Sequence, residues 1–198
     1  MNDKSKLKAM TFFIVTYILI FTIFALIHKN FEFLYYTIIM SVLIIILIKY
    51  YNKMQLTIGI ASGLVILACL HILGGNLIIN NSRLYEFWII KNFFRYDNLV
   101  HTIGSFVATL FSYSLIYPHL TEETKRKKLI PIIIIVLMAC GIGTLNEIME
   151  LGAVVWLDAA PQVGDYFNNA IDLVFNIIGS ILAVIYLFYI KPKSQLDY

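Results

Sequence analysis

Six apolar runs, each long enough to cross a lipid bilayer, constrain this chain more than any other feature. A helix crosses the hydrocarbon in about 20 residues, so mostly apolar runs of roughly 18 or more read as transmembrane spans. They fall at residues 9–28, 33–50, 56–74, 99–117, 129–150 and 170–190. At 60% apolar and 14% charged over 198 residues, a water-soluble globule has no way to hide this much hydrocarbon. The runs lack the period-two alternation of an outer-membrane barrel. Lys4, Lys6 and Lys8 precede the first run as they do in a signal peptide. That run is longer than a secretory h-region and no small-residue cleavage site follows, so it reads as a retained helix. The expected fold class is all-α: one membrane domain over residues 1–198, an integral helical bundle of six transmembrane helices.

Orientation follows from Lys and Arg in short loops, which favour the cytoplasmic side. With the N-terminus inside, Lys4, Lys6, Lys8, Lys49, Lys53, Lys125, Arg126, Lys127, Lys128, Lys191 and Lys193 are all cytoplasmic. That is 11 of the 15 Lys and Arg; only Lys29, Arg83, Lys91 and Arg95 lie outside. Both termini are therefore expected in the cytoplasm. The basic run at 125–128 is a topology signal, with contact to anionic lipid an allowed extra. No basic stretch is long enough to mark a nucleic-acid footprint, so no nucleic-acid partner is expected. Cys69 and Cys140 sit inside apolar runs, where Cys behaves as a small hydrophobe.

Small and polar residues concentrate in spans three to six. Gly59 and Gly63 form a GxxxG spacing that permits close helix approach. His101, Ser105, Ala108 and Ser112 share a face of span four, and Asp172, Asn176, Gly179 and Ala183 share one of span six. Four such helices suggest a compact bundle with spans one and two outside it. Residues 82–96 interleave Tyr85, Phe87, Trp88, Phe93, Phe94 and Tyr96 with Arg83, Glu86, Lys91 and Arg95. Aromatic rings with a polar edge favour the membrane surface, so an interfacial helix is expected there. A loop capping the bundle, or a lid over a site, are the competing readings.

Ionisable residues cluster at one level. His71 ends span three, Asp97 and His101 open span four, Glu147 and Glu150 close span five, and Asp172 and Asn176 open span six. Chain direction alone delivers all of these to the outer side. Charges in a bilayer are expensive, roughly 2.5–3.5 kcal/mol for Asp, Lys or Arg at a helix centre. Four neighbouring carboxylates also repel one another unless protons are shared or a cation is bound. No Lys or Arg lies inside these spans to compensate.

Two chemistries fit such a set. Asp97, His101, Glu147, Glu150 and Asp172 offer oxygen and imidazole ligands to a divalent metal such as Zn, Mn, Fe or Mg. A bound ion would activate water or polarise a phosphoryl oxygen. Alternatively, Asp97, His101, Glu147 and Glu150 work without metal as acid and base groups, in catalysis or along a transport path. A polar cluster that only fixes helix packing is the third reading. No nucleophile motif, phosphate loop or cofactor fingerprint narrows the choice.

Three stretches then carry a resemblance: Tyr96-Asp97-Asn98-Leu99-Val100-His101, Asn146-Glu147-Ile148-Met149-Glu150, and Asp172-Leu173-Val174-Phe175-Asn176-Ile177-Ile178-Gly179. In that order they resemble VanZ-like membrane proteins. Asn98 and Glu150 depart from the VanZ-like pattern and move the match toward the YjdF-like branch. That branch also carries a His-x-x-Gly, here His71 to Gly74, and a Gly-Asp before the last helix, here Gly164-Asp165. Asp165 thus joins His71 and Asn176 at the margin of the expected site, while Asn168 stands where a further Asp is expected. The resemblance covers residues 71–179. It implies a polytopic protein of the bacterial plasma membrane without a settled activity; the leading reading of the residues themselves is an outer-leaflet polar site with the bilayer as partner and a lipid or cell-envelope intermediate as substrate.

Overall fold

The computed structural model describes residues 2–190. Lys191 and Lys193, two of the lysines expected inside, lie outside the described residues. Among the described residues there are eight α-helices: α1 (Asp3–Ile27), α2 (Phe31–Tyr50), α3 (Ile58–Asn76), α4 (Tyr96–Ile116), α5 (Glu122–Arg126), α6 (Leu129–Leu157), α7 (Ala160–Val163) and α8 (Tyr166–Ile185). A π-helical turn, Tyr186–Ile190, continues α8. Six of them, all but the short α5 and α7, are long and apolar enough to cross a membrane. The all-α expectation and the six spans stand.

Several starts are written in local chemistry. Asn2, Asn30, Thr57 and Asp165 each accept a backbone N–H three residues on, so α1, α2, α3 and α8 begin on a side-chain cap. The helices overrun the apolar boundaries at the end that matters. α6 continues seven residues past Glu150, through Gly152-Ala153-Val154-Val155-Trp156-Leu157, until Asp158 turns left-handed at φ 56°. α8 starts at Tyr166, and α4 at Tyr96. Glu147 and Glu150 therefore do not close a helix, and Asp172 does not open one; all three lie well inside.

α4 is the centre of the bundle. It packs on α8, α6 and α3, whereas α1 lies against α3, and α2 against α3 and α6, from outside. Close approach of α4 and α8 depends on Gly179, since a Cβ there would collide with the Thr102 carbonyl and Ser105 Oγ. Gly63 performs a similar role between α3 and α4: a Cβ would lie 2.9 Å from Val107 Cγ2. Gly59, its GxxxG partner, touches only its own cap, Thr57. Only one of the two glycines lies at a helix–helix contact. Cys69 and Cys140 are both free. Outward faces of the long helices other than α4 carry exposed apolar side chains such as Leu19, Ile45, Leu137 and Leu182, as lipid contact requires.

The interfacial helix expected over residues 82–96 is not formed. The chain there makes two small antiparallel hairpins, β1 (Ile78–Ile79) with β2 (Ser82–Arg83) and β3 (Trp88–Ile90) with β4 (Phe94–Arg95). A 3-10 turn, Leu84–Glu86, joins them. The reason lies in the turns. Asn80 and Asn81 both take positive φ, 52° and 65°, closing a two-residue hairpin loop, and Asn92 does so at 60° in the second hairpin. Asparagine adopts that region readily, and the flanking β-branched and aromatic residues suit strands. The aromatic belt survives without the helix, since Phe87, Trp88 and Phe93 remain exposed.

Candidate functional site

The first turn of α4 is built by its own sequence. Asn98 Oδ1 accepts the Arg95 N–H at 2.9 Å, fixing the helix start, and the Tyr96 hydroxyl donates to the Leu70 carbonyl at 3.0 Å, tying α4 to α3. Asp97 and His101 then project from one face, one turn apart. Glu147 and Glu150 come from α6 and Asp172 and Asn176 from α8. At about 1.5 Å per residue, Glu147, Glu150 and Asp172 lie roughly 9–15 Å below the adjacent ends of α6 and α8. They are within the span, not on its rim.

His101 is the hub, and it is buried. Its Nε2 lies 3.5 Å from Asp97 Oδ1 and 3.7 Å from Asp172 Oδ1. Its Nδ1 lies 3.7 Å from Glu147 Oε1 and 3.4 Å from Asn176 Oδ1. Two ligand sets result, Asp97–His101–Asp172 and His101–Glu147–Glu150, each with donor atoms within 4.8 Å of one another. Asp172 is only 1% exposed, yet its Oδ1 has no hydrogen-bond partner among the described residues; both oxygens of buried Glu147 likewise have none there. Buried carboxylates left so are costly, several kcal/mol each, unless a proton or cation compensates.

Amides brace the remaining oxygens. Asn168 Nδ2 donates to Asp172 Oδ2 at 2.9 Å, and Asn146 Nδ2 donates to Glu150 Oε1 at 2.8 Å. Asn176 is pressed against Gly143, where a Cβ would fall 2.6 Å from its Nδ2. Arg95 Nη1 donates to Asn168 Oδ1 at 3.4 Å while its guanidinium stacks 4.5 Å from the Trp88 ring centroid. The hairpin thus contributes a cation to the network beside the acids.

The structure brings Asp97, His101, Glu147, Glu150 and Asp172 together and sets Asn176 beside them. His71 is in neither ligand set. It lies in an aromatic box, with Phe33, Tyr36 and Tyr85 ring centroids 5.4–5.8 Å away, and its Nδ1 hydrogen-bonds the Tyr85 hydroxyl at 2.5 Å. Burial, with the nearby Asp97 and Glu150 carboxylates, holds the Tyr85 phenol well above its usual range, so it stays protonated. Asp165 is exposed and caps α8 by accepting from Asn168 N at 3.0 Å. That is a structural task at the helix start, away from the carboxylate set.

Sequence reasoning missed three contributors. Asn168 bridges Arg95 to Asp172, a role its spacing of four from Asp172 on α8 already indicated. Asn146 stands in the same relation to Glu150. Glu32 was outside every expected site, yet it is buried at this end of the bundle and pairs with Arg83 at 2.6 Å. Residues 9–193 match the model of a protein family described as "Predicted membrane protein (DUF2238)". No curated protein and no solved structure matches the chain.

Proposed function

The chain belongs to the DUF2238 family of predicted membrane proteins and is a multi-pass membrane protein, and we propose that its buried carboxylate–imidazole cluster is a divalent-metal centre acting on a lipid or cell-envelope intermediate. In this reading residues 1–198 form one domain of a bacterial plasma membrane, both termini face the cytoplasm, and the centre lies in the outer leaflet. The remaining VanZ-like resemblance, in Asp97, His101, Glu147, Asp172 and Asn176, belongs to this proposal too.

One observation carries it: fully buried Asp172 and buried Glu147 present unpartnered oxygens toward a shared imidazole. The spacings favour co-ligands over ion pairs. A charge-assisted N–H···O bond measures about 2.7–2.9 Å, and the His101-to-carboxylate distances of 3.5–3.7 Å exceed it. Two ligands held at about 2.0–2.2 Å from one ion stand roughly 3.0–4.3 Å apart. A packing device would close these gaps with direct hydrogen bonds between helices, as the Tyr96 hydroxyl does to the Leu70 carbonyl at 3.0 Å.

The donor set suits Zn, Mn, Fe or Mg, and such an ion would polarise a phosphoryl or carbonyl oxygen. The chain's own residues do the rest. Asn168 and Asn146 orient the carboxylates, and Arg95, supported on Trp88, offers an anion-binding guanidinium where the hairpin meets the cluster. Exposed apolar faces on α6 and α8, including Leu151, Val155 and Ile177, let a lipid approach sideways from the bilayer.

The test is chelation. Detergent-purified protein stripped with EDTA should lose melting temperature and regain it on adding Zn(II) or Mn(II). Glu150→Gln should blunt the response. A melting curve indifferent to both chelator and metal would end the metal reading. A Cys introduced at Asn81, with Cys69 and Cys140 replaced, should react with an impermeant reagent on intact cells; protection there would move the centre to the inner leaflet.

A further inference from the structure

Resting on that metal reading, we infer that the centre takes two divalent cations rather than one, with the His101 ring as the bridge between them. The two imidazole nitrogens direct their lone pairs to opposite sides of the ring, so a single ion cannot engage both. Each nitrogen nevertheless has its own oxygen donors. On the Nε2 side stand Asp97 at 3.5 Å and Asp172 at 3.7 Å. On the Nδ1 side stand Glu147 at 3.7 Å and Asn176 at 3.4 Å, with Glu150 in the same ligand set.

Both sides share one construction. Each holds a buried carboxylate with unpartnered oxygen, Asp172 Oδ1 on one and both Glu147 oxygens on the other. Each also holds a carboxylate oxygen fixed by an asparagine: Asp172 Oδ2 by Asn168, Glu150 Oε1 by Asn146. The one-ion alternative places a metal at Nε2 and uses an Nδ1–H to Glu147 as the orienting hydrogen bond found behind many metal-bound imidazoles. That bond needs about 2.7–2.9 Å, and the separation is 3.7 Å; the contact of the same nitrogen with Asn176 Oδ1, at 3.4 Å, is longer than the usual N–H···O range of about 2.7–3.2 Å. It would also leave a second Glu147 oxygen and Glu150 without a cation.

Charge supports the same count. Four carboxylates lie inside the bundle, and Arg95 is the cation bonded into their network. One divalent ion leaves this set net negative in a medium that penalises charge. Two divalent ions and a deprotonated, bridging His101 bring four carboxylates and Arg95 to neutrality.

The experiment counts metal on the detergent-solubilised full chain. Stripped protein is titrated with Zn(II) for stoichiometry and with Cu(II) for electron paramagnetic resonance. Two equivalents per chain are expected, and the two Cu(II) spins should couple through the ring, suppressing the ordinary isolated-Cu(II) signal. Glu147→Gln and Asp172→Asn should each reduce the stoichiometry to one and restore that isolated signal. His101→Ala should weaken both bindings at least tenfold. Helical content by circular dichroism checks folding, and the wild-type count and spectrum need no variant. One equivalent with an isolated Cu(II) signal, abolished by Asp172→Asn and unchanged by Glu147→Gln, would overturn the second ion and leave the metal reading intact. No binding at all would overturn both.

Discussion

α1 and α4 pass the same length and composition test for crossing a membrane, yet 50% of the apolar stretch of α4 is buried and only 11% of that of α1. The difference lies in what each presents to its neighbours. α4 offers Ser105, Ala108, Thr109 and Ser112, small side chains that let α8 and α6 approach closely. α1 offers large side chains that fit lipid as well as protein. Hydrocarbon tails are as apolar as leucine, so greasy surface alone does not drive helices together in a bilayer. The outer pair α1–α2 adds a few polar points to the apolar packing of Phe33 and Tyr36. Tyr17 donates to the Cys69 carbonyl at 2.9 Å, Asn30 to the Gly75 carbonyl at 3.3 Å, and Glu32 pairs with Arg83.

If that contrast is right, the largest stability effect should come from the fastening of the outer pair. Glu32→Ala strands Arg83 beside the Phe33 ring. Breaking a buried pair costs about 3–5 kcal/mol; the residual exposure of Arg83 places the expectation at the lower end. Denaturation in mixed detergent micelles should show it, and a loss under 1 kcal/mol would mean that α2 is held by its apolar face after all.

Next comes Gly179→Ala at the centre. Overpacking costs about 1–3 kcal/mol, and because one colliding atom is the Thr102 backbone carbonyl, the upper half of that range is expected. The same assay on Leu19→Ala, on the exposed face of α1, should give a change within about 0.5 kcal/mol. Equal effects at the two positions would erase the distinction between centre and periphery.

Two smaller effects sharpen it. Gly63→Ala must displace Val107 and should lower the melting temperature, whereas Gly59→Ala meets no neighbouring helix and should hold or raise it. Tyr85→Phe removes the hydrogen bond to His71 that joins the hairpin segment to α3. About 0.5–1.5 kcal/mol is expected, with faster amide exchange in residues 84–96 as the local readout.

The aromatic segment shows where sequence reasoning failed. Alternating rings and charges over 82–96 announced a membrane-surface element, and Phe87, Trp88 and Phe93 did remain at the surface, whereas Tyr85 and Tyr96 turned inward. Helix was the wrong geometry, because Asn80, Asn81 and Asn92 set the turns and were outweighed by composition. Asp165 shows a second role: a short Gly-Asp motif drew it to the margin of the site, and its place one residue before a helix also marks it as a cap.

Six spans, an all-α fold and the convergence of Asp97, His101, Glu147, Glu150 and Asp172 on one end were determined by the sequence alone. Hydropathy over about 20 residues and the alternation of chain direction leave little freedom at that level. Tertiary structure decided depth and partnership. Further turns extended α6 to Leu157 and began α8 at Tyr166, which moved the acids from the helix ends into the bundle. Likewise, only the crossing of α4 with α6 and α8 divides the carboxylates between the two nitrogens of His101. Periodicity places a residue on a face of its own helix; which atom of a neighbouring helix it meets depends on crossing geometry, set by glycines such as Gly179 and Gly143 whose contacts lie far away in the chain.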